Sequence, residues 1–167
     1  MTKRLIAFDL DGTLAPSKSA AHDIMIDELR KLLEHKQVCV ISGGKFEQFE
    51  KQLLSGLQVD PGLLKNLHLM PTCGTRYYVY ESEKQSWHKE YAEDFKPEEK
   101  KKIINALNKG FDDLGLREEK TWGECIEDRG SQVTFSVLGQ DIVDHLGQEG
   151  VRMKEEWDPD NSKKEKL

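Results

Sequence analysis

The chain has 167 residues, enough for one full domain or two small ones with a core of useful size. Charged residues make up 34% and the net charge is −6, which excludes a general nucleic-acid binder, because that function needs a basic face. The three cysteines, Cys39, Cys73 and Cys125, are scattered, odd in number and wrongly spaced for zinc, so they read as thiols of a reducing compartment. No signal segment opens the chain and no apolar run approaches membrane-spanning length; the expected location is cytoplasmic, with no membrane partner.

The first element is Leu5-Ile6-Ala7-Phe8, a short continuous apolar run expected as a strand buried on both faces of a parallel sheet. Asp9 and Asp11 follow it, two residues apart, and Gly12 then permits a sharp turn. Such a strand delivers both carboxylates to its carboxyl end, where open α/β sheets bind ligands. Two crowded negative charges call for a cation or a proton between them. One carboxylate can attack a phosphoryl group, and the other can move the proton. Mg²⁺, a hard oxygen-seeking ion, suits such a pair, and Thr13 offers a hydroxyl and an amide near the phosphate.

After a loop broken by Pro16, residues 20–35 carry Ile24, Leu29, Leu32 and Leu33 at helical spacing. Residues 37–41 form a second apolar strand, so strand, helix and strand make a βαβ unit. Ser42-Gly43-Gly44-Lys45 closes that strand before a helix over 46–54. A hydroxyl and glycines at a strand-to-helix junction suit a phosphate, with Ser42, Gly43 and Lys45 as candidate contacts; a plain helix N-cap is the alternative. Residues 57–64 read as a loop, 67–72 as a third strand, and 75–80 with 86–89 as a strand pair. His68 and His88 fall in these strands as packed or solvated imidazoles.

Composition shifts near Phe95. Pro97 opens a helix with Ile103, Ile104, Leu107 and Phe111 inward, and Gly115 stops it. Residues 123–128 and 131–138 read as a β-hairpin around Arg129-Gly130. The expected division is therefore a parallel core over 1–74 and a small α+β domain over 75–167.

Phe8-Asp9-Leu10-Asp11-Gly12-Thr13-Leu14 resembles the first motif of the haloacid dehalogenase (HAD) superfamily of phosphatases and phosphomutases. The resemblance implies a HAD-like Rossmannoid α/β core with an α+β cap. It implies Asp9 as nucleophile, Asp11 as general acid/base, and Mg²⁺ held by the Asp9 carboxylate and the Asp11 carbonyl. Ser42 resembles the phosphate-orienting hydroxyl of the second motif. The stretches 42–47, 126–129 and 157–160 are similar to the capped branch that includes eukaryotic phosphomannomutase. There Arg129 falls where a cap arginine grips a distal phosphate, for which the guanidinium fork is suited. Trp122 and Gln140 stand where that enzyme has further arginines, which favours a phosphatase over a mutase.

The lysine and the Gly-Asp motif of the superfamily are expected after the cap, and the chain ends first, so a truncated or split core is the expectation. A second placement makes 133–138 a core strand, with Asp141 and Asp144 as metal ligands and Lys120 as the lysine. The expected function is Mg²⁺-dependent hydrolysis of a small phosphorylated metabolite, a sugar phosphate. The alternatives are a phosphomannomutase-like enzyme and an inactive binding module. An incomplete core leaves a sheet edge and apolar faces open, so a homodimer or a complementing C-terminal fragment is the expected partner.

Overall fold

The computed structural model describes residues 4–166, and the chain divides into two compact units, one ending at Asp94 and one beginning at Phe95. The first unit holds β1 (Leu5–Asp9), α1 (Asp23–Leu33), β2 (Gln37–Ile41), α2 (Phe46–Phe49), α3 (Pro61–Leu64), β3 (Leu67–Met70), β4 (Arg76–Glu81) and β5 (Ser86–Ala92). Its five strands form one sheet in the order β1-β2-β3-β4-β5. The first three run parallel, and β3-β4-β5 run antiparallel.

Register sorts the side chains by face. Ile6 pairs with Val38 and Phe8 with Val40, while Val38 pairs with Leu67 and Val40 with Leu69. Phe8, Val38, Val40, Leu67 and Leu69 share one apolar cluster with Ile26, Leu29 and Leu33 of α1 and Phe49 of α2. At roughly 1.5–3 kcal/mol per buried aliphatic or aromatic side chain, this layer is the main stabiliser of the unit. Phe46 seats α2 further along the sheet, stacking on Tyr78 at 4.3 Å.

Besides the short helix α3, found within the stretch 57–64 expected as a loop, three expectations for the first unit need correction. First, β1 is not buried on both faces. It is an edge strand paired with β2, and its burial alternates, with Leu5 53% exposed. An apolar run cannot tell a central strand from an edge strand. Second, the boundary expected at 74/75 falls after Asp94, because β4 turns back through a tight loop and joins the first sheet. Third, Ile24 is 79% exposed and Ile26 takes its place in the core, because 26, 29 and 33 keep the helical stripe and 24 lies off it.

The second unit holds α4 (Pro97–Asp113), β6 (Ile126–Asp128), β7 (Val133–Phe135), α5 (Ile142–Leu146) and α6 (Gln148–Trp157). Strands β6 and β7 form a two-stranded antiparallel hairpin. Phe111, 1% exposed, meets Phe135 edge-on at 4.9 Å and ties α4 to it. The placement of 133–138 in the core sheet is thereby overturned, since β7 pairs with β6. Asp141 sits at the N-terminus of α5, and the Lys120 ammonium lies over the Trp122 ring at 4.9 Å. Among the described residues, no helix is long and apolar enough to cross a membrane.

Candidate active site

The carboxyl ends of β1, β2 and β3 each lead into a tight loop, and the three loops lie side by side. The first loop folds on itself. The Leu10 carbonyl accepts from the amides of Thr13, Leu14 and Ala15 at 3.3, 3.0 and 3.0 Å. Leu10 and Leu14 are buried and anchor the loop, while Gly12, at φ +76, makes the turn that a β-carbon would oppose. Asp9 and Thr13 stay exposed beside it.

The two aspartates differ in their surroundings. The Asp9 carboxylate is exposed, with no hydrogen-bond or ion-pair partner among the described residues. The Asp11 carboxylate is held on both oxygens. Its Oδ1 accepts from the Lys18 amide at 3.0 Å and from Gln52 Nε2 at 3.0 Å, and its Oδ2 accepts from Gln48 Nε2 at 2.9 Å.

The second loop is Ser42-Gly43-Gly44. Parallel pairing sets it beside Asp9, since Asp9 is in register with Ile41. Ser42 is buried, and its hydroxyl accepts from the Gly44 amide at 3.4 Å. It is not the helix N-cap, a position that Lys45 takes before α2. The third loop braces the second: Thr72 N–H donates to the Gly44 carbonyl and Cys73 N–H to the Ser42 carbonyl, both at 2.9 Å. Thr72, Cys73 and Gly74 are consecutive left-handed residues at φ +52, +57 and +83. For a β-branched residue such as Thr72 that conformation costs of order 1–3 kcal/mol, and buried surroundings must hold it. Thr72 is 1% exposed, and the Thr75 hydroxyl donates to its carbonyl at 2.6 Å.

The first unit thus gathers Asp9, Asp11, Thr13, Ser42, Gly43 and Lys45 at one end of the parallel strands. Arg129 lies in the second unit, on the β6–β7 hairpin, with its Nε donating to Glu127 Oε2 at 2.7 Å. Gln48 and Gln52 are residues that sequence reasoning missed. The signal was present: two glutamines one turn apart, interleaved with the buried Phe49 and Leu53. From Glu50 to Leu54 the helix of α2 continues in π form, a local widening often met at functional sites.

For a metal, Asp9 offers a free carboxylate and Asp11 a carbonyl. These hard donors fit Mg²⁺, which commonly takes one or two carboxylates and completes its shell with phosphate and water. Among the described residues, no three His, Cys, Asp or Glu side chains gather to hold a metal.

No protein-family model matches the chain, and no curated protein matches it in sequence. Solved structures do match. Plasmodium falciparum IMP-nucleotidase with ATP bound is 19% identical at a TM-score of 0.59, over 92% of this chain and 40% of that one. Another structure of Plasmodium falciparum IMP-nucleotidase is 17% identical at a TM-score of 0.57, over 95% of this chain and 47% of that one. A haloacid dehalogenase-like hydrolase from Bacteroides thetaiotaomicron is 14% identical at a TM-score of 0.50, over 92% of this chain and 50% of that one. The chain therefore spans about half the length of the solved structures it matches or less. With its Asp-bearing first strand, flanking helices and mixed sheet, this chain has the fold of the haloacid dehalogenase-like hydrolases.

Proposed function

We propose that the chain carries the nucleophile-bearing part of a Mg²⁺-dependent phosphatase that hydrolyses a small phosphorylated metabolite, with a sugar phosphate as its substrate class. The observation that carries this reading is the unlike pair at the end of β1: Asp9 exposed and unpartnered, Asp11 held by three donors, both beside the Ser42–Gly44 loop. An Asp9 oxygen attacks phosphorus, the ester P–O bond breaks, and Asp11 protonates the leaving oxygen. Asp11 then takes a proton from water as the water oxygen attacks the aspartyl-phosphate, freeing inorganic phosphate and restoring Asp9. The Ser42 hydroxyl, the loop amides of Gly43, Thr13 and the Lys45 charge orient the phosphate oxygens. The Asp9 carboxylate and the Asp11 carbonyl would hold Mg²⁺, which would screen the negative charge between carboxylate and phosphate. The second unit is proposed as the α+β cap, with Arg129 as its substrate-binding residue, its guanidinium fork matched to a phosphate.

The test is phosphate release from phenyl phosphate, hexose phosphates and nucleoside monophosphates. Turnover is expected with Mg²⁺ and is expected to vanish on chelation. Asp9→Asn is expected to lower kcat/KM by about 10³-fold or more, since it removes the attacking oxygen. A folded chain that releases no phosphate from any ester overturns the assignment. That result favours the second reading, a phosphate-binding module without turnover.

A further inference from the structure

Gln48 spans two parts of the candidate site. Its Nε2 donates to Asp11 Oδ2 at 2.9 Å. Its other end lies over the phosphate loop: a Cβ built on Gly44 would stand 2.2 Å from Gln48 Oε1 and 2.6 Å from its Cδ. Gly44 is not among the residues with positive φ, so its φ does not itself call for glycine. The position is kept open by the Gln48 amide that occupies the space, not by the dihedral. One turn later Gln52, 1% exposed, sets Nε2 at 3.0 Å from Asp11 Oδ1 and at 3.1 Å from each of the Pro16 and Ser19 carbonyl oxygens. Three acceptors fix which end of that amide faces Asp11, since an oxygen there would be repelled by all of them. Its own Oε1 is buried without a partner among the described residues. Leaving a buried acceptor unsatisfied costs about 1–3 kcal/mol, so the Gln52 side chain is kept in place by the bonds at its nitrogen.

We infer that Gln48 is a positioning residue that sets the Asp11 carboxylate against the Ser42–Gly44 loop, with Gly44 left small to admit it. The inference rests on the reading of Asp11 as the proton-transfer group. It predicts a coupling between positions 44 and 48 that neither the motif around Asp9 nor the loop glycines imply by themselves.

Proton donation matters most when the leaving oxygen is a poor one, so misplacing Asp11 hurts an alkyl phosphate more than a nitrophenyl phosphate. Gln48→Ala is expected to lower kcat on an alkyl phosphate by about tenfold and on p-nitrophenyl phosphate by about twofold, with KM little moved; full loss of general acid catalysis would be about 10²–10⁴-fold. Gly44→Ala is expected to show the same split, and to add little in the Gln48→Ala background, because the 2.2 and 2.6 Å contacts are then gone and only the 3.2 Å approach of the residue-48 β-carbon remains. Equal losses on both esters, or additive losses in the double variant, overturn the inference while leaving the phosphatase reading intact. An activity-free measurement runs beside it. The Gln48 side-chain amide resonances are expected to shift in Asp11→Ala and in Gly44→Ala; resonances unmoved in both overturn the tie. Where the wild-type chain turns nothing over, the proposed function falls and this amide signal alone decides the place of Gln48.

Discussion

His68 is titratable, and its hydrogen-bond neighbours settle what the ring can do. The His68 ring closes a hydrogen-bonded chain across three strands and a helix. Asn66 Nδ2 donates to the Leu33 carbonyl at 2.9 Å, and Gln37 Nε2 to Asn66 Oδ1 at 2.9 Å. Gln37 Oε1 must then accept from His68 Nε2 at 2.6 Å, leaving Nδ1 to accept from the Tyr77 hydroxyl at 2.7 Å. The neutral tautomer is therefore built into the sheet, and burial lowers the pKa of the ring from its ordinary 6.5. The unfolded chain binds the extra proton first, so stability from this group is complete above about pH 6.5 and declines as pH falls toward the folded value. Urea unfolding at pH 7.5 and pH 5.5 checks this: His68→Gln is expected to lose less stability on acidification than the wild-type chain. An equal loss in both proteins removes His68 as the source.

At the scale of elements, helix ends and registers carry the argument. Helix α4 ends where Gly115, at φ +62, lets the Leu116 amide reach the Phe111 carbonyl at 3.1 Å. A β-carbon on Gly115 meets nothing within 4 Å, so Gly115→Ala probes the dihedral alone. It is expected to destabilise by about 1–2 kcal/mol, read as a lower urea midpoint at unchanged slope. In α2 the weight falls on packing. Phe49 is fully buried between the sheet and α1, and Phe49→Ala is expected to cost about 3–5 kcal/mol. Because Gln48 and Gln52 flank Phe49 on the same short helix, that variant is also expected to loosen Asp11, seen as lower phosphate release in the fraction that remains folded.

Across the whole first unit, the open edge at β1 is the feature that stands out. On one side of it an apolar hollow of about 260 Å³ is lined by Phe8, Leu14, Met25, Leu29 and Leu32 among others. On the other side a hollow of about 310 Å³ is lined by Leu5, Cys39, His68, Met70, Tyr77 and Tyr91. An unpaired edge between two apolar hollows is a template for strand addition. The expected outcome is self-association that rises with concentration in sedimentation and is suppressed by Leu5→Lys. A compact monomer across the concentration range, the same for both proteins, overturns it.

Most strands and the helices α1, α2 and α4 were legible in the residues, because strand and helix periods, Gly and Pro punctuation and the Phe8–Leu14 pattern are local signals; α3, expected as loop, and α5 and α6 were not. The meeting of Asp9, Asp11 and Ser42 was legible too, since two adjacent parallel strands bring their carboxyl ends together whatever surrounds them. Tertiary structure alone decided which strand stands at the sheet edge, where the chain divides, and that Ile26 rather than Ile24 faces the core. It alone placed Gln48 and Gln52 on Asp11 across 37 and 41 residues. The physical reason is that pairing partners, coverage and long-range hydrogen bonds depend on what the fold brings alongside, and periodicity within a segment carries no record of its neighbours.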